Sequence, residues 1–353
     1  MKVLYRADGS PEIGTGHIIR GLILRRRLES LGAQVRFVTR DLPWGARKLR
    51  QANCDVVVIP ADADQRAETD AVRHTLKTAP VDVCVMDVLE TSDAQTRAVK
   101  DVGCRLVCLD DVGPGRLNAD AIVNVLEVEP ARDALAERGI ALYEGPEYAA
   151  LPEEYAQSGI AEREIPAKVR HIVITLGGAD PAGLAPKAAR AAKRALENRQ
   201  APIILAQPHV LLLVGPASQQ REEVERAVRG AEACFTLTTS LPSLFPALRQ
   251  ADVGVIAGGL TMHEALAVGL PCIALCQPVR HQAQLAERFA DQGAMLTLGP
   301  GAAVTEERIA ETLLELAAGV GVRRQMAARG PQLVDGRGAQ RTAEVIWRLA
   351  RTA

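Results

Sequence analysis

The chain has 353 residues, too many for one ordinary single-core domain, so its length alone predicts two. With 48% hydrophobic and 24% charged residues it can build real cores, which excludes disordered and fibrous classes. Its 42 basic and 43 acidic residues leave a net charge of −1, no field to attract nucleic acid, and 3% aromatics argue against base-stacking platforms.

The opening MKVLYRADGS reaches an acidic residue too early for a signal peptide. No apolar run approaches the roughly 18 residues of a membrane span. A cytoplasmic protein without membrane insertion is therefore expected. Seven cysteines in a chain of this size make no disulfide framework. Cys84, Cys104, Cys108, Cys234, Cys272 and Cys276 lie in or beside apolar segments and read as small buried hydrophobes. The pairs Cys104/Cys108 and Cys272/Cys276 lack matched ligands, so neither metal nor cofactor is expected.

The first half alternates short apolar runs with amphipathic stretches. Strands are predicted at Val3–Tyr5, Val35–Thr39, Asp55–Ile59, Val81–Met86, Arg105–Leu109 and Ala121–Val125. Helices are predicted at Ile18–Leu31, Arg66–Thr78 and Ser92–Val102, with Arg25, Arg26 and Arg27 on a solvated helix face. Apolar runs without strict alternation, set between helices, suit parallel strands covered on both sides. Residues 139–168 carry turn signals such as Gly145-Pro146 and Leu151-Pro152 with little periodicity, and read as the close of one domain plus a linker.

A second series begins at His171–Leu176, with further strands at Val210–Val214, Cys234–Leu237, Val253–Ala257, Pro271–Leu275 and Met295–Leu298. Its helices fall at Ala185–Asn198, Gln219–Arg229, Leu241–Gln250, Thr261–Val268 and His281–Gln292. The tail from Glu306 to Ala350 is helical, broken near Gly330–Gly338. The expected fold class is α/β, with two Rossmann-like domains and a central cleft at the carboxyl ends of their strands. The expected boundaries are 1–150, a linker at 151–170, 171–330, and a helix in 331–353 placed to pack back on the first domain.

The loop after the first strand reads Asp8-Gly9-Ser10-Pro11-Glu12-Ile13-Gly14-Thr15-Gly16-His17. Gly14 and Gly16 allow close approach of backbone to a ligand, and a helix starting beside them favours negative charge. Neither the dinucleotide fingerprint nor a P-loop is present. His17 at this mouth can exchange a proton near neutral pH. Arg20, three residues on, can meet an anionic group or orient His17, while Asp8 can hold its second nitrogen or act as a base. A bland reading stays open, in which His17 merely caps a helix.

In the second half, one strand ends in Gly177-Gly178-Ala179-Asp180-Pro181. Another ends in Gly258-Gly259-Leu260-Thr261-Met262-His263-Glu264 and runs straight into a helix, a geometry suited to a diphosphate. Glu264 reads either as a carboxylate bonding both hydroxyls of a ribose or as a residue compensating the helix dipole. Gln277 to Gln282 lies at the corresponding end of its βα unit. His74, His171 and His209 have no companions that suggest chemistry.

The segments RADGSPEIGTGHIIR (6–20), VRFVTRD (35–41), LDD (109–111), GPEYAAL (145–151), ITLGGADP (174–181) and ADVGVIAGGLTMHEALAVGLP (251–271), extended by Gln282 and Gly293, occur in one order. As a set they resemble the UDP-sugar hydrolases of pseudaminic acid biosynthesis and their spore-coat-polysaccharide relatives, and more distantly the MurG-type glycosyltransferases of GT-B architecture. That resemblance implies cleavage of a UDP-activated amino- or deoxy-sugar in surface polysaccharide or nonulosonate biosynthesis, alongside other enzymes of such a pathway. The alternative it carries is a GT-B glycosyltransferase using a UDP-sugar donor.

By the same resemblance His17 takes the place of the catalytic histidine, with Asp8 as its catalytic companion, Gly14, Thr15 and Gly16 shaping the pocket and Gln282 on the sugar or phosphate side; Arg20, Asp87, Gly177 and Gly178 are expected to line the substrate with them. Gly258, Gly259, Leu260 and Thr261 take the diphosphate and Glu264 the ribose. The sequence also departs from the family. Asp87-Val88-Leu89 stands where Asp-His-Tyr is usual, Leu260-Thr261-Met262-His263-Glu264 replaces Ser-Thr-Thr-aromatic-Glu, and His281 replaces Asn. These changes surround the sugar, so they bear on the substrate and on hydrolysis against transfer. His263 or His281 is the place to look for compensation.

Overall fold

The computed structural model describes residues 1–125, 132–158, 163–239 and 241–351, apart from the side chains of 157 and 158. Part of the expected linker, 159–162, lies outside the described residues, as do the last two residues of the chain. The chain divides into two compact units, Met1–Pro152 with Arg337–Ala353, and Glu153–Gly336.

The first unit begins with β1 (Lys2–Ala7), α1 (Gly16–Ser30), β2 (Gln34–Arg40), α2 (Gly45–Gln51), β3 (Asp55–Ile59) and α3 (Gln65–Thr78). It continues with β4 (Val83–Asp87), α4 (Asp93–Lys100), β5 (Arg105–Leu109), β6 (Ala121–Asn124), α5 (Arg132–Glu137) and β7 (Ala141–Glu144). All neighbouring strands pair in parallel, in the order β3-β2-β1-β4-β5-β6-β7. Every residue of β4 is buried, as parallel strands covered on both faces require. Helix starts follow local chemistry. The Asp64 side chain accepts from the Ala67 amide at 2.7 Å, and Ser92 with Gln95 closes a reciprocal capping box on α4.

The second unit runs through α6 (Glu153–Ser158), β8 (Val169–Thr175), α7 (Leu184–Leu196), α8 (Ala201–Ile204), β9 (Leu205–Leu213), α9 (Arg221–Ala227) and β10 (Phe235–Thr238). It then forms α10 (Phe245–Gln250), β11 (Val253–Ile256), α11 (Leu260–Ala267), β12 (Cys272–Cys276), α12 (Arg280–Asp291), β13 (Leu296–Pro300), α13 (Glu306–Ala318) and α14 (Val320–Leu333). Its parallel sheet has the order β10-β9-β8-β11-β12-β13. Six alanines of α7 lie in the core of this unit, where a small side chain lets the helix sit close to its neighbours. The last helix, α15 (Gly338–Arg351), belongs to the first unit and packs on α1. A Cβ at Gly338 would collide with the Ala149 carbonyl, so this approach needs glycine.

Several elements differ from the expectation raised by the sequence. β7, α2, α5, α6 and α8 are short and were not expected as elements. β9 begins five residues before Val210, because Pro208 and Gln207, at φ +51°, hide a strand whose register shifts between Val169 and His171. The C-terminal helical tail breaks at Gly319 as well as near Gly330–Gly338, and Pro331 is accommodated inside α14. Among the described residues no helix is long and apolar enough to cross a membrane.

Candidate active site

In each sheet the strand order reverses between two neighbouring strands, β1 and β4 in the first unit, β8 and β11 in the second. Loops leaving the carboxyl ends of such a pair diverge and open a crevice, the usual ligand position in doubly wound folds. The His17 loop follows β1, and Asp87 ends β4, paired in register with Ala7.

The loop is knitted by its own backbone. The Ser10 amide donates to the Gly14 carbonyl at 3.1 Å, and Gly14 adopts φ +89°, a conformation that disfavours any side chain. The first amides of α1, beginning at Gly16, have no intrahelical partner, and the Thr15 side chain before them makes no capping bond.

His17 Nδ1 lies 2.6 Å from Asp87 Oδ1. Asp87 is fully buried, and its remaining acceptor positions are filled. Tyr5 Oη donates to Oδ2 at 2.6 Å, Arg20 Nε donates to Oδ2 at 2.9 Å, and Arg20 Nη2 donates to Oδ1. Arg20 Nη1 also donates to Asp110 Oδ2, so one guanidinium bridges two carboxylates. Burial pushes the Asp87 carboxyl up, but the Arg20 guanidinium and the His17 ring outweigh it and hold the group well below the usual carboxylate range. Burial, then the Asp87 charge, pushes the Tyr5 phenol well above its ordinary value.

An ionised Asp87 can only accept, which makes Nδ1 of His17 the protonated nitrogen. Arg20 Nη2, 3.3 Å from the same Nδ1, is also a donor and does not compete with the closer carboxylate. The other nitrogen, Nε2, has no hydrogen-bond partner among the described residues, and the ring is 27% exposed. In its neutral form this imidazole carries its lone pair on the open side, fixed in orientation, which is what a general base needs.

One of the roles expected from the sequence changes here and another narrows. Asp8 does not hold His17. It accepts from Arg6 Nη2 at 2.6 Å and from the Arg40 amide at 2.8 Å, inside a network that also joins Glu68 to both arginines. Burial raises its carboxyl but Arg6 and Arg40 bring it below the ordinary value, so it is a poor base. Arg20 is engaged by Asp87 and Asp110, an arrangement that fits the second of its two expected roles, orienting His17, better than the first, meeting an anion. Tyr5 and Asp110 were missed. Asp110, at φ +48°, also accepts from the Val125 amide at 2.7 Å; it lies in the LDD segment 109–111, to which no role was assigned.

In the second unit the two glycine-rich loops meet. Gly177, at φ +90°, stands where a Cβ would come 3.6 Å from Ala257 Cβ, and a Cβ at Gly215 would overlap the carbonyls of Gly177 and Gly178. Gln277, another residue without an assigned role in the sequence, fixes this loop. Its Nε2 donates to Asp180 Oδ1 at 2.7 Å, and its Oε1 accepts from the Ala182 amide at 3.0 Å. Asp180 in turn accepts from the Leu184 and Ala185 amides at the start of α7.

Gly259 precedes α11, with Leu260 and Thr261 as its first residues. Gln282 on α12 closes against this turn, since a Cβ at Gly258 would sit 3.1 Å from Gln282 Cβ and 2.6 Å from Cys276 Sγ. The Gln282 Oε1 atom is buried without a hydrogen-bond partner among the described residues. Glu264, mostly buried on α11, accepts from Tyr155 Oη at 3.0 Å. Burial pushes its carboxyl up to about 7 despite that bond. His263 is buried with its ring edge-on to Phe289, 5.7 Å between centroids. Among the described residues no group of three His, Cys, Asp or Glu side chains is placed to hold a metal ion.

The two parallel α/β domains have the GT-B architecture of glycosyltransferases. MurG of Acinetobacter baumannii matches with a TM-score of 0.68 at 16% identity, over 98% of this chain and 99% of that one. The glycosyltransferase VinC in complex with dTDP gives a TM-score of 0.64 at 15% identity, over 100% of both chains. Residues 188–317, from α7 into α13, match the family described as glycosyl transferases group 1. By sequence the chain is similar to the spore coat polysaccharide biosynthesis protein SpsG of Bacillus subtilis (strain 168), 26% identical over 348 residues and 98% of each chain. The descriptions among these that carry an activity name glycosyl transfer, so they favour the transferase alternative over the expected hydrolysis.

Proposed function

We propose that the chain is a glycosyltransferase that takes a sugar from a nucleotide-activated donor, with UDP the first nucleotide to test, in the biosynthesis of a polysaccharide. The observation that carries the chemistry is the His17–Asp87 pair, with Nδ1 tied and Nε2 open. The glycosyl transferases group 1 match over 188–317 and the similarity to SpsG support the substrate class and the polysaccharide setting.

In this reading Nε2 of His17 removes the proton from an acceptor hydroxyl as its oxygen attacks the anomeric carbon. Asp87 stabilises the imidazolium that results, as a fixed carboxylate does in other base-assisted sites. The bond from the anomeric carbon to the phosphate oxygen breaks, and the nucleoside diphosphate leaves with the electron pair. The first amides of α11, next to Gly258 and Gly259, are suited to its developing charge. Glu264 accepts from the ribose hydroxyls, and Gln282 offers an amide to the sugar or phosphate side.

Water in place of the acceptor turns the same machinery into a hydrolase, so product analysis decides between them. The protein is incubated with UDP- and dTDP-sugars, with and without hydroxyl acceptors, and free nucleotide, free sugar and glycosylated acceptor are measured. Nucleotide release that depends on the acceptor is expected. Stoichiometric free sugar without any acceptor would restore hydrolysis, and no release or binding with any donor would remove the nucleotide-sugar reading.

A further inference from the structure

α6 is the first element of the second unit, and its side chains are held from several directions. Glu154 accepts from the Ser243 hydroxyl. Tyr155 is 1% exposed, and its ring stands edge-on to Phe245 with centroids 5.2 Å apart. Its backbone is covered by Gly336, at φ +75°, where an added Cβ would collide with the Tyr155 carbonyl. A ring fixed this way aims its hydroxyl in one direction, and that direction is Glu264 Oε1, 3.0 Å away. The second oxygen, Oε2, has no hydrogen-bond partner among the described residues.

We propose that Tyr155 is a positioning residue for nucleotide recognition: by donating to one oxygen of Glu264 it orients the carboxylate and leaves the other oxygen for the ribose hydroxyls. This rests on the reading of Glu264 as the ribose acceptor. A hydrogen bond that only satisfied a buried pair would affect stability and be indifferent to whether a ligand carries ribose hydroxyls.

The same bond governs the charge of Glu264. Burial drives its carboxyl up to about 7, the Tyr155 hydroxyl works downward, and the Glu154 charge works upward. Tyr155 and Glu154 both come from α6. α10 and α14 also pack on α11, and the charge that acts on the Glu264 carboxyl is that of Glu154. A carboxylate bonding two hydroxyls must be ionised, because the protonated form gives up acceptor capacity.

The test is calorimetric titration of UDP, and of UDP lacking both ribose hydroxyls, into the wild type, Y155F and E154Q between pH 5.5 and 8.5. In the wild type, UDP affinity should fall as pH drops through about 7, while the analogue shows no such step. Y155F should weaken UDP at pH 7 by about 5- to 15-fold, the worth of one hydrogen bond, and move the midpoint upward, leaving the analogue unchanged. E154Q should move the midpoint downward, and it keeps the test usable if Y155F is destabilised. Unchanged UDP affinity and midpoint in a folded Y155F, or an unmoved midpoint in E154Q, overturns the proposal. Failure of UDP to bind the wild type instead removes the underlying nucleotide reading.

Discussion

His17 and Asp87 stand 70 positions apart, yet Nδ1 and Oδ1 meet at 2.6 Å because β1 and β4 are neighbours in the sheet. The contact sets which nitrogen of the imidazole is free, and four donor bonds around Asp87 leave the carboxylate no other orientation. Asp87→Asn tests this most sparingly. The amide keeps the size but loses the charge that fixes the tautomer, so kcat should drop about 10²- to 10⁴-fold with a much smaller change in donor KM. A matched loss in both parameters would assign Asp87 to substrate binding instead.

The acid limb of stability should also depend on Asp87. Its folded pKa is depressed, so its contribution is present above the unfolded value of about 3.9 and is lost as pH falls toward the folded one. Thermal scans from pH 7 to pH 2 should show wild-type Tm declining below about pH 4. Asp87→Asn should start lower and decline less over that range. Removing one side of a buried ion pair typically costs about 3–5 kcal/mol, which sets the scale of the starting deficit.

Glu264 has the opposite sign. Its folded pKa, about 7, lies above the ordinary 4.5, so the associated stability is present below 4.5 and is lost as pH rises through 7. The difference is on the order of 3 kcal/mol. Glu264→Gln should therefore match the wild type near pH 4 and exceed its Tm at pH 8, while losing affinity for UDP. A variant that is less stable at both pH values would contradict this assignment.

Gly258 gives a steric test of the nucleotide loop. A Cβ there would sit 2.6 Å from Cys276 Sγ and 3.1 Å from Gln282 Cβ, so Gly258→Ala must displace the Cys276 side chain, the turn or α12. Overpacking of this kind costs about 1–3 kcal/mol. The expected readout in calorimetry is a weakening of UDP binding by at least about tenfold, larger than the accompanying loss of Tm alone would explain.

The βα repeats were legible because buried parallel strands such as Val83–Asp87 are written as continuous apolar runs. Ala141–Glu144 was not, being four half-buried residues between Gly139 and Gly145. His17, Asp87 and Glu264 each stood out at a strand or helix end, but their partners did not. Which strands lie side by side is a long-range property, so the nearby Asp8 was the natural partner for His17 until the sheet order brought Asp87 there. Tyr5 reads from sequence only as a strand residue. In the fold Tyr5 brings a phenol to Asp87 and His17 brings an imidazole to it, the two group types absent after β4 in the sequence. Tyr155 and Gln277 were silent for the same reason, since their hydroxyl and amide are meaningful only beside Glu264 and Asp180.

The most direct measurement is the pH dependence of glycosyl transfer by the wild type and His17→Gln at saturating nucleotide-sugar and acceptor. With His17 as the base, the wild-type rate should rise with pH through a single ionisation. His17→Gln should lose about 10²- to 10⁴-fold in kcat and that ionisation, with donor binding retained. A His17→Gln enzyme that turns over at the wild-type rate with the same pH profile would contradict the central role of the His17–Asp87 pair.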